Sequence, residues 1–122
     1  MEQFEITTEM MPPIDPANAL EIAKAAAEAL DSKKAKDIKI LHVEDKTVIA
    51  EYFVICTGNS STQVKALAGE VEYRLEQRGI APYSVEGRDN NSWVVVDFSN
   101  VIVHVFSREA REFYKLDKLY ED

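Results

Sequence analysis

Cysteine is nearly absent from this chain, since Cys56 is the only one among 122 residues. A single thiol excludes an internal disulfide and any metal site built from several cysteines, and it favours a reducing compartment. No apolar run approaches the roughly 18 residues that a membrane-spanning helix requires. The first residues, Met-Glu-Gln-Phe-Glu, include no basic start and no apolar stretch. We therefore predict no secretory signal and a cytoplasmic location.

Basic residues are also in deficit, with 14 Lys and Arg against 22 Asp and Glu and a formal net charge of -8. Free nucleic acid and anionic membranes are bound through basic surfaces, so this balance argues against direct binding of either. It fits a basic protein partner instead. The length of 122 residues and the apolar fraction of 46% predict one folded domain with a single core.

The N-terminal region divides into an arm and a helix. Residues 1–14 show no periodicity and are predicted to form a loose arm, ahead of a single α/β domain over residues 15–122. Asp15 and Pro16 suit a helix start, because proline lacks the N–H that the first turn of a helix leaves unpaired. A mostly alanine stripe at helical spacing follows, made of Leu20, Ala23, Ala27 and Leu30, with Ala19 and Ala26 beside it.

Two strands and a second helix come next. Residues 37–43 and 50–56 are predicted strands, and the continuous apolar run of the second is typical of a strand buried on both faces. Residues 57–61 form a turn that also offers N-cap side chains. The helix after it is predicted to end at Gly79 and to bury one face, made of Val64, Leu67, Ala68, Val71 and Leu75.

A predicted hairpin is the most informative segment. After a short strand at 81–85 and a polar loop, residues 93–98 and 101–106 flank a two-residue turn. Side chains on paired strands alternate between two faces, so this turn sorts the residues into two sets. One set is apolar and is predicted core: Val94, Val96, Phe98, Val101, Val103 and Val105. The other set, the mixed face, comprises Trp93, Val95, Asp97, Ile102, His104 and Phe106.

The mixed face has two interpretations. In the first, a helix covers it and Asp97 and His104 are hydrogen-bonded at its edge, the commoner arrangement in α/β domains. In the second, it is a protein-binding patch, because exposed aromatic groups with a few polar neighbours are typical of interface centres. A final helix capped by Ser107 shares this ambiguity. Its apolar residues Phe113, Tyr114, Leu116, Leu119 and Tyr120 either pack inward or extend the patch.

Catalytic chemistry has little support in the chain. The turn at Gly58, between a strand and a helix, is of the kind that holds a phosphate, and it loosely resembles the Gly-Ser turn of nucleotidyltransferases. No closely spaced carboxylates follow on an adjacent strand, so a tight turn with a cap is favoured. His42 and His104 lie on different strands without ligand spacing, and Cys56 has no neighbouring histidine. Neither a metal site nor a cofactor site is predicted.

Six blocks of sequence, taken together, are specific enough to indicate a protein family. They are residues 34–38 (KAKDI), 51–60 (EYFVICTGNS), 85–87 (VEG), 93–97 (WVVVD), 103–106 (VHVF) and 111–120 (REFYKLDKLY). In order and spacing they resemble the Iojap-related ribosomal silencing factors. The resemblance extends from about the first helix to the C-terminus.

The resemblance implies a single compact α/β domain, a mixed β-sheet of about five strands flanked by helices, with a nucleotidyltransferase-like shape but no such activity. It implies a regulator that binds ribosomal protein L-fourteen of the large subunit, blocks subunit association and represses translation when nutrients are short. No enzymatic activity, cofactor, metal or membrane partner is expected. The partner-binding residues it implies are Trp93, Asp97, His104, Phe106, Arg111, Tyr114, Leu116, Leu119 and Tyr120.

Two other functions stay open on the sequence. One is a nucleotidyltransferase-like enzyme that binds a nucleotide at the Gly58 turn, and the other is an interaction module with a non-ribosomal partner. The free protein is expected to be a homodimer, because an apolar face that awaits a partner can be buried against a second copy.

Overall fold

Five strands form one mixed sheet with helices on both faces. The computed structural model describes residues 11–89 and 92–121. Its elements are α1 (Ala19–Ser32), β1 (Lys36–His42), β2 (Tyr52–Gly58), α2 (Ser61–Gln77), β3 (Ser84–Glu86), β4 (Trp93–Asp97), β5 (Val101–Ser107), α3 (Arg108–Tyr114) and α4 (Leu116–Tyr120). The strand order is β1-β2-β5-β4-β3, with β2 parallel to β5 and the other pairs antiparallel. The predicted five-stranded mixed sheet is confirmed.

The strand β2 lies inside the sheet, between β1 and β5, and is buried from Phe53 to Gly58. Val54 and Cys56 belong to the apolar cluster that includes α1 and α2. Phe53 and Ile55 belong to a second cluster on the opposite face. The continuous apolar run therefore reports burial on both faces, as predicted.

The hairpin of β4 and β5 has the predicted register. Trp93 pairs with Phe106 and Asp97 pairs with Ile102. The two-residue turn is closed by the N–H of Phe98, which donates to the carbonyl oxygen of Val101 at 2.8 Å. At its outer edge the hairpin pairs with β3, which begins at residue 84 rather than at the predicted residue 81.

The helix α2 begins and ends as predicted. The Oγ of Ser60 accepts a hydrogen bond from the N–H of Gln63 at 3.1 Å, which caps the first turn. Gly79 has a φ of +83°, and the N–H of Ile80 donates to the carbonyl oxygen of Leu75 at 2.9 Å. This is the Schellman arrangement, in which glycine accepts a left-handed conformation without strain. The predicted apolar face is buried throughout.

The helix α1 begins three residues later than predicted. Asp15 forms a preceding turn, in which its Oδ1 accepts from the N–H of Ala17 at 2.9 Å, and Asn18 is the N-cap. The predicted stripe is confirmed at Ala19, Ala23, Ala26 and Leu30, which are buried, but Leu20 is 42% exposed and the buried Ile22 was not part of it. Alanines on both sides of the stripe make its periodicity a weak indicator of the buried face. Ile22 lies at helical spacing from the buried Ala19, Ala26 and Ala29, whereas Leu20 lies at the edge of that face.

The predicted arm, residues 1–14, lies for its first ten residues outside the described part of the chain. At its end, Ile14 is 3% exposed and belongs to the cluster with α1 and α2. Its N–H donates to the carbonyl oxygen of Arg78 at 3.0 Å. Ile14 is therefore part of the core and not of a loose arm.

The single final helix is wrong, because the chain forms two short helices with a break at Lys115. The cap is confirmed, since the Oγ of Ser107 accepts from the N–H of Ala110 at 3.1 Å. Lys115 has a φ of +51°, a left-handed conformation that ends α3 and redirects the chain into α4. The apolar stripe expected along one helix is consequently divided between two.

Candidate partner-binding site

The mixed face is covered along one strand and partly open along the other. Ile102, His104 and Phe106 of β5 are buried, and Ala110, Leu116 and Tyr120 of the two C-terminal helices pack into the same apolar cluster. Trp93, Val95 and Asp97 of β4 stay partly exposed. The interpretation as a covered face is therefore confirmed for β5, whereas β4 stays partly exposed and its role in binding stays a prediction.

Trp93 is held on three sides. Its ring centroid lies 4.9 Å from that of Phe106 and 4.7 Å from that of Tyr114. Its indole N–H donates to Nδ1 of His104 at 3.1 Å. Gly87 adjoins its backbone with a φ of +87°, and a Cβ at that position would lie 2.1 Å from the carbonyl oxygen of Trp93. The approach of the preceding loop to Trp93 therefore requires glycine.

His104 is a buried neutral imidazole. The residue is 6% exposed, and burial lowers its pKa from 6.5 to about 4. Because Nδ1 accepts from the indole, the proton of the neutral ring is assigned to Nε2. The ring of Phe53 stands across that of His104 at a centroid distance of 4.7 Å.

These rings continue into one connected set, which we call the aromatic row. Phe113 contacts Tyr114 at a centroid distance of 5.0 Å, and Phe53 contacts Tyr120 at 4.9 Å. Exposure is greatest at one end, where Phe113 is 78% and Tyr114 48% exposed. Its members are Phe113, Tyr114, Trp93, Phe106, His104, Phe53 and Tyr120.

Phe106 lies beneath Trp93 and Tyr114 in this row and is fully buried. A partner cannot contact its ring without movement of the rings above it. Its contribution to a surface is to support Trp93 and Tyr114, whose rings it contacts. The same holds for His104, which is buried beside it.

Arg111 ties the C-terminal helices to the sheet. Its Nη1 donates to the hydroxyl of Thr57 at 2.8 Å, and its Nε and Nη2 lie 3.4 Å from the carboxylate oxygens of Asp117. Lys39 of β1 contacts Asp117 at 3.3 Å and also pairs with Glu121. Burial raises the pKa of Asp117, but the hydrogen bond and charge of Arg111, with Lys39, hold it below its ordinary value. Arg111 of α3 therefore connects this helix both to β2 and to α4.

Asp97 has a structural contact of its own at the hairpin turn. Its Oδ1 accepts from the N–H of Ser99 at 2.7 Å, and Ser99 adopts a φ of +80°. The carboxylate is still partly exposed, so turn formation leaves it accessible to a partner.

The three predicted residues of α4 have different surroundings. Leu116 and Tyr120 pack against the apolar cluster beneath the helix, whereas Leu119 is 70% exposed. Of these three, Leu119 is the side chain most available to a partner.

The Gly58 turn uses its own polar groups internally. The N–H of Asn59 donates to Oε1 of Gln63, and the Ser60 hydroxyl caps the helix. A Cβ at Gly58 would lie 2.9 Å from Cγ2 of Val64, so close packing explains the glycine. Within residues 11–89 and 92–121, no three His, Cys, Asp or Glu side chains are grouped to hold a metal ion. Cys56 is buried, which raises the pKa of its thiol to about 12.

Two members of the aromatic row, Phe53 and Phe113, lie outside the predicted set of partner-binding residues. Phe53 shares a face with His104 because β2 and β5 are parallel and Phe53 pairs with Ile102. The parallel pairing joins residues far apart in sequence, so alternation within the hairpin does not reveal it. For Phe113 the sequence leaves open whether the ring packs inward or extends the patch, and its 78% exposure shows that it points outward.

The comparisons with known proteins point to one family. The family model described as "Ribosomal silencing factor during starvation" matches residues 16–122. Ribosomal silencing factor RsfS of Bacillus subtilis is 44% identical over 105 residues, 86% of this chain and 89% of that protein. The mouse protein named "Mitochondrial assembly of ribosomal large subunit protein 1" is 31% identical over 94 residues, 75% of this chain and 41% of that longer protein.

A solved structure supports the same assignment. The crystal structure of a Chromobacterium violaceum protein superimposes with a TM-score of 0.82 at 37% identity, covering 84% of this chain and 86% of that one. In the part of the chain that the structure describes, no helix combines the length and apolar character needed to cross a membrane. By the match to its model and the identity to its members, the chain belongs to the family of ribosomal silencing factors.

Proposed function

We propose that this chain represses translation sterically, by binding ribosomal protein L-fourteen on the large ribosomal subunit and blocking association with the small subunit during nutrient limitation. Family membership and the name of the mouse relative support a ribosomal partner. A bound domain only has to stand where the small subunit docks, so the mechanism requires no catalytic group and no cofactor.

The observation that supports this proposal best is the exposed end of the aromatic row. Trp93 is packed between Phe106 and Tyr114 yet stays partly exposed, and Phe113 projects into solvent beyond it. A large aromatic side chain in a fixed orientation loses little conformational freedom on binding. Such anchors account for most of the free energy at protein interfaces.

The charge of the chain fits the same partner. Ribosomal proteins present many Lys and Arg side chains, and this chain has a formal net charge of -8. Asp97 lies on the same strand as Trp93, two pleats away on the same face. We assign Asp97 as the group that meets a basic side chain, since an ion pair beside a desolvated aromatic contributes to specificity.

Self-association follows from the same surface. In the absence of the ribosome, the exposed rings are expected to be buried against a second copy, giving a homodimer. Light scattering of the purified protein tests this, and a monomeric Trp93→Ala variant would place the dimer contact at the aromatic row.

Sedimentation of ribosomal subunits through a sucrose gradient tests the proposal. The protein is expected to migrate with the large subunit and to reduce the peak of joined ribosomes. Trp93→Ala is expected to weaken binding by about 2–4 kcal/mol. Tyr73→Ala is the matched control, because Tyr73 is a half-exposed aromatic on α2, whose packing lies on the other face of the sheet.

Two results would overturn the proposal. One is a protein that stays at the top of the gradient while the joined peak is unchanged. The other is equal binding by folded Trp93→Ala and by the Tyr73→Ala control. Saturable nucleotide binding in the presence of Mg²⁺, measured by calorimetry, would favour the enzyme at the Gly58 turn instead.

A further inference from the structure

Trp93 is held by two kinds of contact, and only one of them depends strongly on direction. Its packing against Phe106 and Tyr114 is apolar and does not specify where the indole N–H points. The hydrogen bond from the indole N–H to Nδ1 of His104, at 3.1 Å, does specify it. Hydrogen bonds weaken steeply as the donor angle closes, so this contact selects one orientation of the ring.

His104 itself is inaccessible to a partner. It is 6% exposed and lies on β5 between the neighbouring strands, with Phe53 across its ring at 4.7 Å. Its other nitrogen, Nε2, is buried without a hydrogen-bond partner among the described residues. A buried unpaired N–H costs free energy, so hydrogen bonding does not make histidine the most stable choice at this position.

An apolar residue of similar size would avoid that cost, but it would give Trp93 no acceptor at this place. The acceptor nitrogen Nδ1 of the imidazole thus favours the orientation of Trp93 rather than the stability of the core. Residues that break a local rule of packing are expected at functional sites.

We propose that His104 is a positioning residue for partner binding: by accepting the indole N–H it orients the exposed edge of Trp93 without touching the partner. This inference rests on the proposed function only where binding to the large subunit is measured. The orientation of Trp93 is measurable in the free protein.

The test compares two isosteric replacements in the full-length chain. His104→Asn places an oxygen where Nδ1 stood and keeps an acceptor for the indole. His104→Leu has the same shape as asparagine without the acceptor, and His104→Phe serves the same purpose with a full ring should the leucine variant fail to fold. Trp93 is the only tryptophan in the chain, so its fluorescence reports its surroundings without interference.

In the free protein, His104→Leu is expected to lower the fluorescence anisotropy of Trp93, because the indole gains rotational freedom. His104→Asn is expected to keep the value of the unsubstituted protein. On large subunits, His104→Leu is expected to bind about five- to tenfold more weakly, and His104→Asn to restore most of the loss. A purely structural role predicts instead that binding follows unfolding stability in both variants.

A double-substitution cycle completes the test. Phenylalanine at position 93 has no N–H, so in a Trp93→Phe background the change His104→Leu is expected to have no further effect on binding. Equal anisotropy and equal binding of His104→Leu and His104→Asn would overturn the positioning role. If the unsubstituted protein does not bind the large subunit, the proposed function fails, and the anisotropy comparison still decides the role of His104.

Discussion

The two faces of the sheet are covered in different ways. On one face, α1 and α2, of 14 and 17 residues, pack on a cluster that is apolar apart from the Cys56 thiol. On the other, α3 and α4, of 7 and 5 residues, cover the sheet only in part and depend on the ion pair of Arg111 with Asp117. The first face is thus covered by two long helices, whereas the second face has a smaller buried cluster and leaves Trp93, Tyr114 and Phe113 exposed to different degrees.

The greatest loss of stability is expected from a substitution on the face that α1 and α2 cover. Leu67 of α2 is fully buried in the apolar cluster. Leu67→Ala is expected to lower the free energy of unfolding by about 2–5 kcal/mol, through lost burial and the cavity left behind. Urea unfolding measures this, and binding to the large subunit at low temperature should be unchanged for the folded protein. A binding defect in folded Leu67→Ala would contradict the division between the faces.

Acid is expected to act on the second face. His104 binds a proton with a pKa of about 4 when folded and near 6.5 when unfolded. Between these values the unfolded chain binds more protons, so the free energy of unfolding falls as the pH drops from 6.5 to 4, by about 3 kcal/mol in total. Asp117 adds a further loss only below its ordinary pKa of 3.8.

Urea midpoints between pH 7 and pH 4.5 measure that loss. The control is His104→Asn, which has no titrating ring and should lack this part of the pH dependence. An equal slope in both proteins would show that His104 is not responsible.

Removal of one ion-pair partner should loosen the cover of the second face. Asp117→Asn is expected to cost about 1–2 kcal/mol, because the largely buried Arg111 loses its countercharge. Hydrogen exchange is expected to accelerate in α4 more than in α2. Glu109→Gln, on the exposed side of α3, is the matched control. Unchanged exchange in α4 would mean that packing of Tyr120 alone holds the helix.

The smallest effect on stability is expected at the exposed end of the aromatic row. Phe113 is 78% exposed, so Phe113→Ser should change the free energy of unfolding by less than about 0.5 kcal/mol. Binding to the large subunit should nevertheless weaken about fivefold if this ring is part of the interface. Tyr83→Ser, at an 82% exposed position before β3, is the control. Identical binding by both variants would exclude Phe113 from the contact.

Much of the fold was predictable because it depends on neighbours in sequence. Period-two alternation and a two-residue turn determine the register of the hairpin, and serine and glycine signals determine the ends of α2. The buried face of α1 was predictable only in part, because alanines gain little from burial and mark the edge of that face weakly, which left Leu20 and Ile22 misassigned. The break at Lys115 was also missed, since no glycine or proline marks it.

The residues of the mixed face follow from the amino-acid sequence alone, because side chains on paired strands alternate between the two faces of a sheet. Which of these residues are covered follows only from the tertiary fold. That outcome depends on contacts between distant segments, such as Arg111 with Thr57 across 54 positions and Phe53 with His104 across a parallel strand pair. Local periodicity indicates toward which face of the sheet a side chain points. Its burial depends on which distant segments of the chain pack against that face.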